Sequence, residues 1–63
     1  MDPNANLAEQ RLLCARLNVG DSTDEQACLD ASRLADLVEA LDEWIMGGGF
    51  LPSAWIKGQG RNR

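Results

Sequence analysis

Apolar residues in the second half of the chain recur at the spacing of one helix face. They lie four, three, four, three and four positions apart: Ala27, Ala31, Leu34, Val38, Leu41 and Ile45. This spacing is typical of an amphipathic α-helix, and we call these six residues the seam. Leu37 and Trp44 widen the seam on one flank. We predict a helix over 24–46 that ends at Gly47–Gly49, because glycine is unfavourable inside a helix.

One irregularity interrupts this pattern. Asp30 projects near the apolar flank, whereas Cys28 and Leu29 project away from it. A kink at Asp30, or a new helix that begins there, is one interpretation, since aspartate is a good N-cap. We expect a single continuous helix, because the seam continues back through Ala27.

A shorter helix is predicted over 4–17. Asp2 is a suitable cap and Pro3 a suitable first residue, and Asn6 is a second possible helix start. One side of this helix carries Leu7, Leu13, Cys14 and Leu17 with Gln10 in its middle, and another side carries Ala5, Ala8 and Leu12. One neighbouring helix cannot cover both sides.

The two helices are separated by a predicted turn over 18–22. Gly20 can adopt the positive φ that ends a helix. Two overlapping capping boxes follow, Ser22 with Glu25 and Thr23 with Gln26. Because the turn is short, we expect the helices to lie side by side as an antiparallel hairpin.

The aromatic segment after the three glycines completes the predicted domain. Pro52 can open a short helical turn, and we expect the segment to fold back on the helices. The fold class is therefore all-α, with one domain over 1–56 and a disordered basic tail over 57–63. Because the apolar stripes exceed what one hairpin covers, we predict a homodimer, most simply a four-helix bundle. The predicted core or oligomer interface comprises Leu34, Leu37, Val38, Leu41, Trp44, Ile45, Phe50, Leu51 and Trp55.

The charge distribution limits the partners. The tail carries three positive charges, at Lys57, Arg61 and Arg63, so the net charge of −4 conceals a charge of −7 over residues 1–56. An acidic body repels nucleic acid. We therefore expect no specific nucleic-acid binding.

Candidate chemistry is scarce. The chain has no histidine, so a cysteine nucleophile lacks its usual base and a zinc site lacks its usual ligands. We predict no catalytic residues, cofactor or metal. Met1–Pro3 has no signal-peptide character, and no apolar stretch reaches the roughly 18 residues of a membrane span. We therefore expect a cytoplasmic protein in which Cys14 and Cys28 are buried or half-buried thiols, with a disulfide between them as the alternative.

An acidic face lies opposite the seam and consists of Asp36, Glu39 and Glu43. A solvated surface is its ordinary interpretation. The alternatives are an acid/base pair, which needs a pKa raised by burial, a metal site, or a surface that mimics DNA or binds a basic partner. Of these, partner binding is the functional hypothesis that we retain.

The second half of the chain resembles a known group of proteins. Its residues 33–45, RLADLVEALDEWI, are followed by Gly48-Gly49-Phe50-Leu51-Pro52 and Trp55. This is similar to the C-terminal halves of small actinobacteriophage proteins, mycobacteriophages among them. The resemblance covers about residues 30–56. It implies a phage-encoded viral protein in a bacterial host cytoplasm, and it implies no activity, because the family has unknown function.

Together these observations favour a non-enzymatic protein that acts by protein–protein interaction. We expect self-association, together with a host or phage protein as a possible further partner. The alternative is a nucleic-acid-associated regulatory protein that uses a symmetric dimer and the basic tail.

Overall fold

The computed structural model describes residues 1–56, and these form a helical hairpin. Helix α1 spans Pro3–Val19 and helix α2 spans Asp24–Met46. A single helical turn, α3, covers 53–56. Residues 1–56 contain no β-strand, so the all-α hairpin prediction is confirmed. The predicted disordered tail lies outside the described residues.

The ends of α1 follow from local hydrogen bonding. The Asp2 carboxylate accepts hydrogen bonds from the backbone N–H groups of Asn4 and Ala5, at 3.0 and 3.2 Å. Gly20, with φ of 78°, ends the helix in the left-handed region, where residues with a Cβ are disfavoured. The cap and the terminator are both as predicted. The helix is longer than the predicted 4–17, because Pro3 is its first residue and it continues to the residue before Gly20.

Helix α2 has the predicted bounds. Thr23 accepts a hydrogen bond from the backbone N–H of Gln26 at 3.1 Å. The side chain of Gln26 does not complete a capping box, because it donates to Asp30 at 3.0 Å instead. The helix runs through Asp30 without a break, so the prediction of a single continuous helix is confirmed and a new helix start at Asp30 is excluded.

The core between the helices is small. The buried apolar residues are Leu7 and Leu13 of α1, Leu37 and Leu41 of α2, and two prolines that are almost inaccessible, Pro3 and Pro52. The contact line on α2 therefore runs through Leu37 and Leu41. Of the six seam residues, only Leu41 is buried. Within one chain, α1 covers the Leu37 flank and not the seam, so the place of the seam in a core shared with a second copy stays a prediction.

The chain reverses direction after α2 around the side chain of Trp44. The indole N–H donates to the backbone carbonyl of Phe50 at 3.0 Å, and the two aromatic rings meet edge to face with centroids 5.6 Å apart. Gly49 lies directly against the indole ring, where a Cβ would overlap it. Gly48 has φ of 96°, so this turn requires glycine for two separate reasons.

The segment after the turn is attached to the start of α1. The backbone N–H of Ser53 donates to the side-chain oxygen of Asn4 at 2.7 Å, and Pro52 is buried. The backbone N–H of Trp55 donates to the Pro52 carbonyl at 3.0 Å, which closes α3. The predicted fold-back and the short turn after Pro52 are confirmed.

Candidate functional site

A buried polar contact fixes how α1 and α2 face each other. The side-chain amide of Asn6, only 8% exposed, donates to the backbone carbonyl of Leu37 at 3.0 Å. Gln10 then donates to the side-chain oxygen of Asn6 at 2.6 Å. The interpretation of Asn6 as a helix start is wrong, because it lies inside α1 and crosses to α2. The one signal for this contact in the sequence was Gln10, a polar residue in the middle of an apolar side.

An ion pair joins the helices along one edge of this contact. Arg33 donates two hydrogen bonds to the Glu9 carboxylate, at 2.8 and 3.0 Å. The hydrogen bond from Arg33 lowers the pKa of Glu9 below its ordinary value. The same bond raises the pKa of Arg33. Both side chains are about half exposed, so the pair contributes little to stability.

A second acidic group is buried near the turn. Asp30 is 4% exposed, and one of its oxygens accepts the hydrogen bond from Gln26. The other oxygen lies 3.2 Å from Nη2 of Arg16, close enough for charge attraction but without the alignment of a hydrogen bond. Asp30 is thus held among protein groups, which makes its role structural.

The opposite edge of the hairpin is apolar and open. Val38 lies about 140° around α2 from Arg33, at 100° per residue, and therefore on the other side of the contact at Leu37. Val38 is 49% exposed and Trp55 of α3 is 38% exposed. Between them lies a cleft of about 260 Å³, lined by Gln10, Val38, Leu41, Asp42, Ile45 and Trp55. We call this the cleft surface.

The predicted core residues divide by accessibility. Leu37 and Leu41 are buried. Half-buried are Leu34, Trp44, Ile45 and Leu51, while Val38, Phe50 and Trp55 are exposed. The exposed residues separate further, because Phe50 packs on Trp44 whereas Val38 and Trp55 border the cleft. The residues that were predicted together as a core or oligomer interface therefore include both interior residues and surface residues.

The predicted acidic face is solvent-exposed along α2. Asp36, Glu39 and Glu43 are all exposed, and none of them lines the cleft surface. Within residues 1–56, no three His, Cys, Asp or Glu side chains are grouped closely enough to hold a metal ion. These carboxylates thus form a charged surface on a different side of α2 from the cleft.

The two cysteines are free and exposed. The prediction of buried or half-buried thiols is wrong, because Cys14 and Cys28 both lie outside the interhelical contact.

A second hollow, of about 270 Å³, lies beside the turn and is lined by Ala15, Arg16, Val19, Asp21 and Ser22. Among residues 1–56, no helix combines the length and the apolar character needed to cross a membrane.

Comparison with known proteins finds no match: no family model, no curated protein and no solved structure is similar to the chain.

Proposed function

We propose that this chain is a small, non-enzymatic interaction protein that works by presenting the cleft surface to other protein surfaces. The observation that carries the proposal is the exposed apolar pair, Val38 and Trp55, on either side of an open cleft. In a hairpin with four buried leucines, these side chains lie outside the core although their residue types favour burial.

The composition of the cleft surface suits a protein partner. Asp42 is its one charged residue and Gln10 its one uncharged polar residue. The centres of protein interfaces are depleted in charge and enriched in aromatic side chains, and tryptophan is over-represented among the residues that dominate binding energy. Trp55 at the rim of an apolar cleft fits both tendencies.

The non-enzymatic part of the proposal rests on the residues available for chemistry. The chain has no histidine, the residue that most often acts as general acid or base. The buried carboxylate of Asp30 is held by Gln26 and Arg16. Because these structural contacts occupy the Asp30 carboxylate, it is not free to act as a general acid or base. This supports binding, and not catalysis, as the function.

The origin and setting of the protein belong to the same proposal. The resemblance of residues 30–56 to small actinobacteriophage proteins supports a phage-encoded protein that acts in the bacterial cytoplasm. Its partners there include a second copy of the chain and, further, a host or phage protein.

Affinity capture from infected host cells tests this function. We expect Val38→Glu to abolish capture of partner proteins, since it introduces a charge into the cleft surface. Leu12→Glu is the matched control, because Leu12 is similarly exposed but lies on α1 away from the cleft. Charge reversal at Asp36, Glu39 and Glu43 tests the acidic face separately.

The results of the capture experiment identify which surface of the chain binds the partner proteins. Loss of capture with Val38→Glu alone supports the proposal. If Leu12→Glu abolishes capture and Val38→Glu does not, the contact surface is the outer side of α1 and the proposal is wrong. Loss through charge reversal alone assigns binding to the acidic face and also contradicts it.

A further inference from the structure

We propose that the cleft surface binds a second copy of this chain, with the two α2 helices packed antiparallel along the seam. This inference rests on the proposed interaction function and names its first partner. Two observations carry it: the symmetry of the seam spacing and the distribution of small and large residues along it.

The seam reads the same in both directions. Its spacing of four, three, four, three and four residues is unchanged when the helix is reversed. In an antiparallel pair, Leu34 therefore meets the partner's Val38, and Ala27 meets the partner's Ile45. A two-fold interface requires such self-complementarity, because the same surface patch is used by both subunits.

Residue size along the seam favours the antiparallel arrangement. The first half contains Ala27 and Ala31, and the second half contains Val38 and Ile45 with Trp55 beside them. Antiparallel packing places each large half against a small half, whereas parallel packing places alanine on alanine and leaves a gap. Protein interiors and interfaces pack to nearly uniform density, so the antiparallel arrangement fits better.

The available area is sufficient for a dimer of moderate affinity. The seam from Ala27 to Ile45 is about 27 Å long and two helices side by side are about 20 Å wide. The contact then buries about 500 Å² on each copy and about 1,000 Å² in total, at the lower limit for a specific interface. We therefore expect a dissociation constant in the micromolar range.

Sedimentation equilibrium tests the dimer. We expect the wild-type chain to be dimeric at about 100 µM and Ala31→Glu to weaken dimerisation at least tenfold. Ala40→Glu is the matched control: both alanines are exposed inside α2, but Ala40 lies on the Arg33 side. Circular dichroism verifies that both variants retain the helical fold.

Cysteine cross-linking tests the orientation. In a background with Cys14 and Cys28 replaced by serine, Ala27→Cys chains are mixed with Ile45→Cys chains and oxidised. We expect an interchain disulfide in the mixture and none with Ala27→Cys alone, because antiparallel packing places the two copies of residue 27 about 27 Å apart.

Three results overturn the proposal: a monomer at about 100 µM, equal weakening by the two glutamate variants, or a disulfide in Ala27→Cys alone. A monomeric chain whose partner capture is still abolished by Val38→Glu separates the two claims. In that case the second-copy proposal is wrong, while the interaction function is retained with a different partner.

Discussion

The side-chain amide of Asn6 donates a hydrogen bond to the backbone carbonyl of Leu37, 31 positions further along the chain. This carbonyl lies inside α2, so the contact joins the middle of one helix to the first turns of the other. Because the acceptor is a single backbone group and Gln10 holds the donor in place, the bond selects one register between the helices.

Replacing Asn6 is therefore expected to destabilise the hairpin. Asn6→Ala removes the buried hydrogen bond to the Leu37 carbonyl and leaves the half-buried amide of Gln10 without its acceptor, at a cost of about 1–3 kcal/mol in the free energy of unfolding. Urea denaturation followed by circular dichroism measures this. Asn18→Ala, at an exposed position near the end of α1, is the control. Equal stability of the two variants would contradict the role assigned to Asn6.

Gly49→Ala is expected to disrupt the turn around Trp44. The added Cβ overlaps the indole ring, so either the Trp44–Phe50 contact or the turn must shift, with a loss of about 1–3 kcal/mol. In a Trp55→Phe background, the fluorescence of Trp44 is expected to move to longer wavelength. Gly47→Ala is the control, since Gly47 has φ of −81°, which alanine adopts readily. A wild-type spectrum for Gly49→Ala would show that the indole does not lie against this glycine.

The contact between Glu9 and Arg33 predicts a pH dependence. The pKa of Glu9 is lowered in the folded chain, so the pair stabilises the fold above the carboxylate's unfolded pKa of about 4.3 and loses this effect as pH falls through the lower folded value. Arg33→Gln is expected to raise the Glu9 pKa towards its ordinary value, as measured by NMR titration. The melting temperatures of the variant and the wild type should converge in acid. An unchanged pKa in Arg33→Gln would exclude the ion pair as the cause.

Substitutions of Asp30 and of Arg16 are expected to change the stability of the hairpin by different amounts. Arg16→Met leaves a buried carboxylate without a cation and is expected to cost about 1–3 kcal/mol. Asp30→Leu removes the buried charge and leaves Arg16, whose side chain is 45% exposed and is therefore solvated by water, so this variant is expected to lose less stability. Chemical denaturation of the two variants gives the comparison. Greater destabilisation by Asp30→Leu would show that the carboxylate is required for the hairpin.

Nucleic-acid binding is expected to be weak and to depend on the tail. Its three positive charges can neutralise at most three phosphates, which limits the slope of log K against log salt to about −2.7. Gel shifts of duplex DNA at several salt concentrations measure this slope, with a chain that ends at Ile56 as the control. A steeper slope, or tight binding without the tail, would favour the nucleic-acid alternative.

The helices were largely predictable because their ends depend on nearby residues. Asp2, Thr23 and Gly20 cap or terminate helices through groups no more than four residues away, and the bounds of α2 agree with the prediction. The charge distribution and the absence of histidine are likewise properties of the sequence alone. The spacing of residues also predicted the apolar seam of α2 and the exposed carboxylates on the opposite side of that helix.

Periodicity could not predict which apolar face of each helix contacts the other helix. The seam and the Leu37 flank lie about a quarter of a turn apart around α2, and both are apolar. Only the packing of α1, with Asn6 bonded to Leu37, decided that the flank became the core and that Val38 and Trp55 were left at an open cleft. The sequence determined the helices because a helix forms from hydrogen bonds four residues apart; the tertiary structure decided the surface, because exposure depends on a contact between residues 31 positions apart.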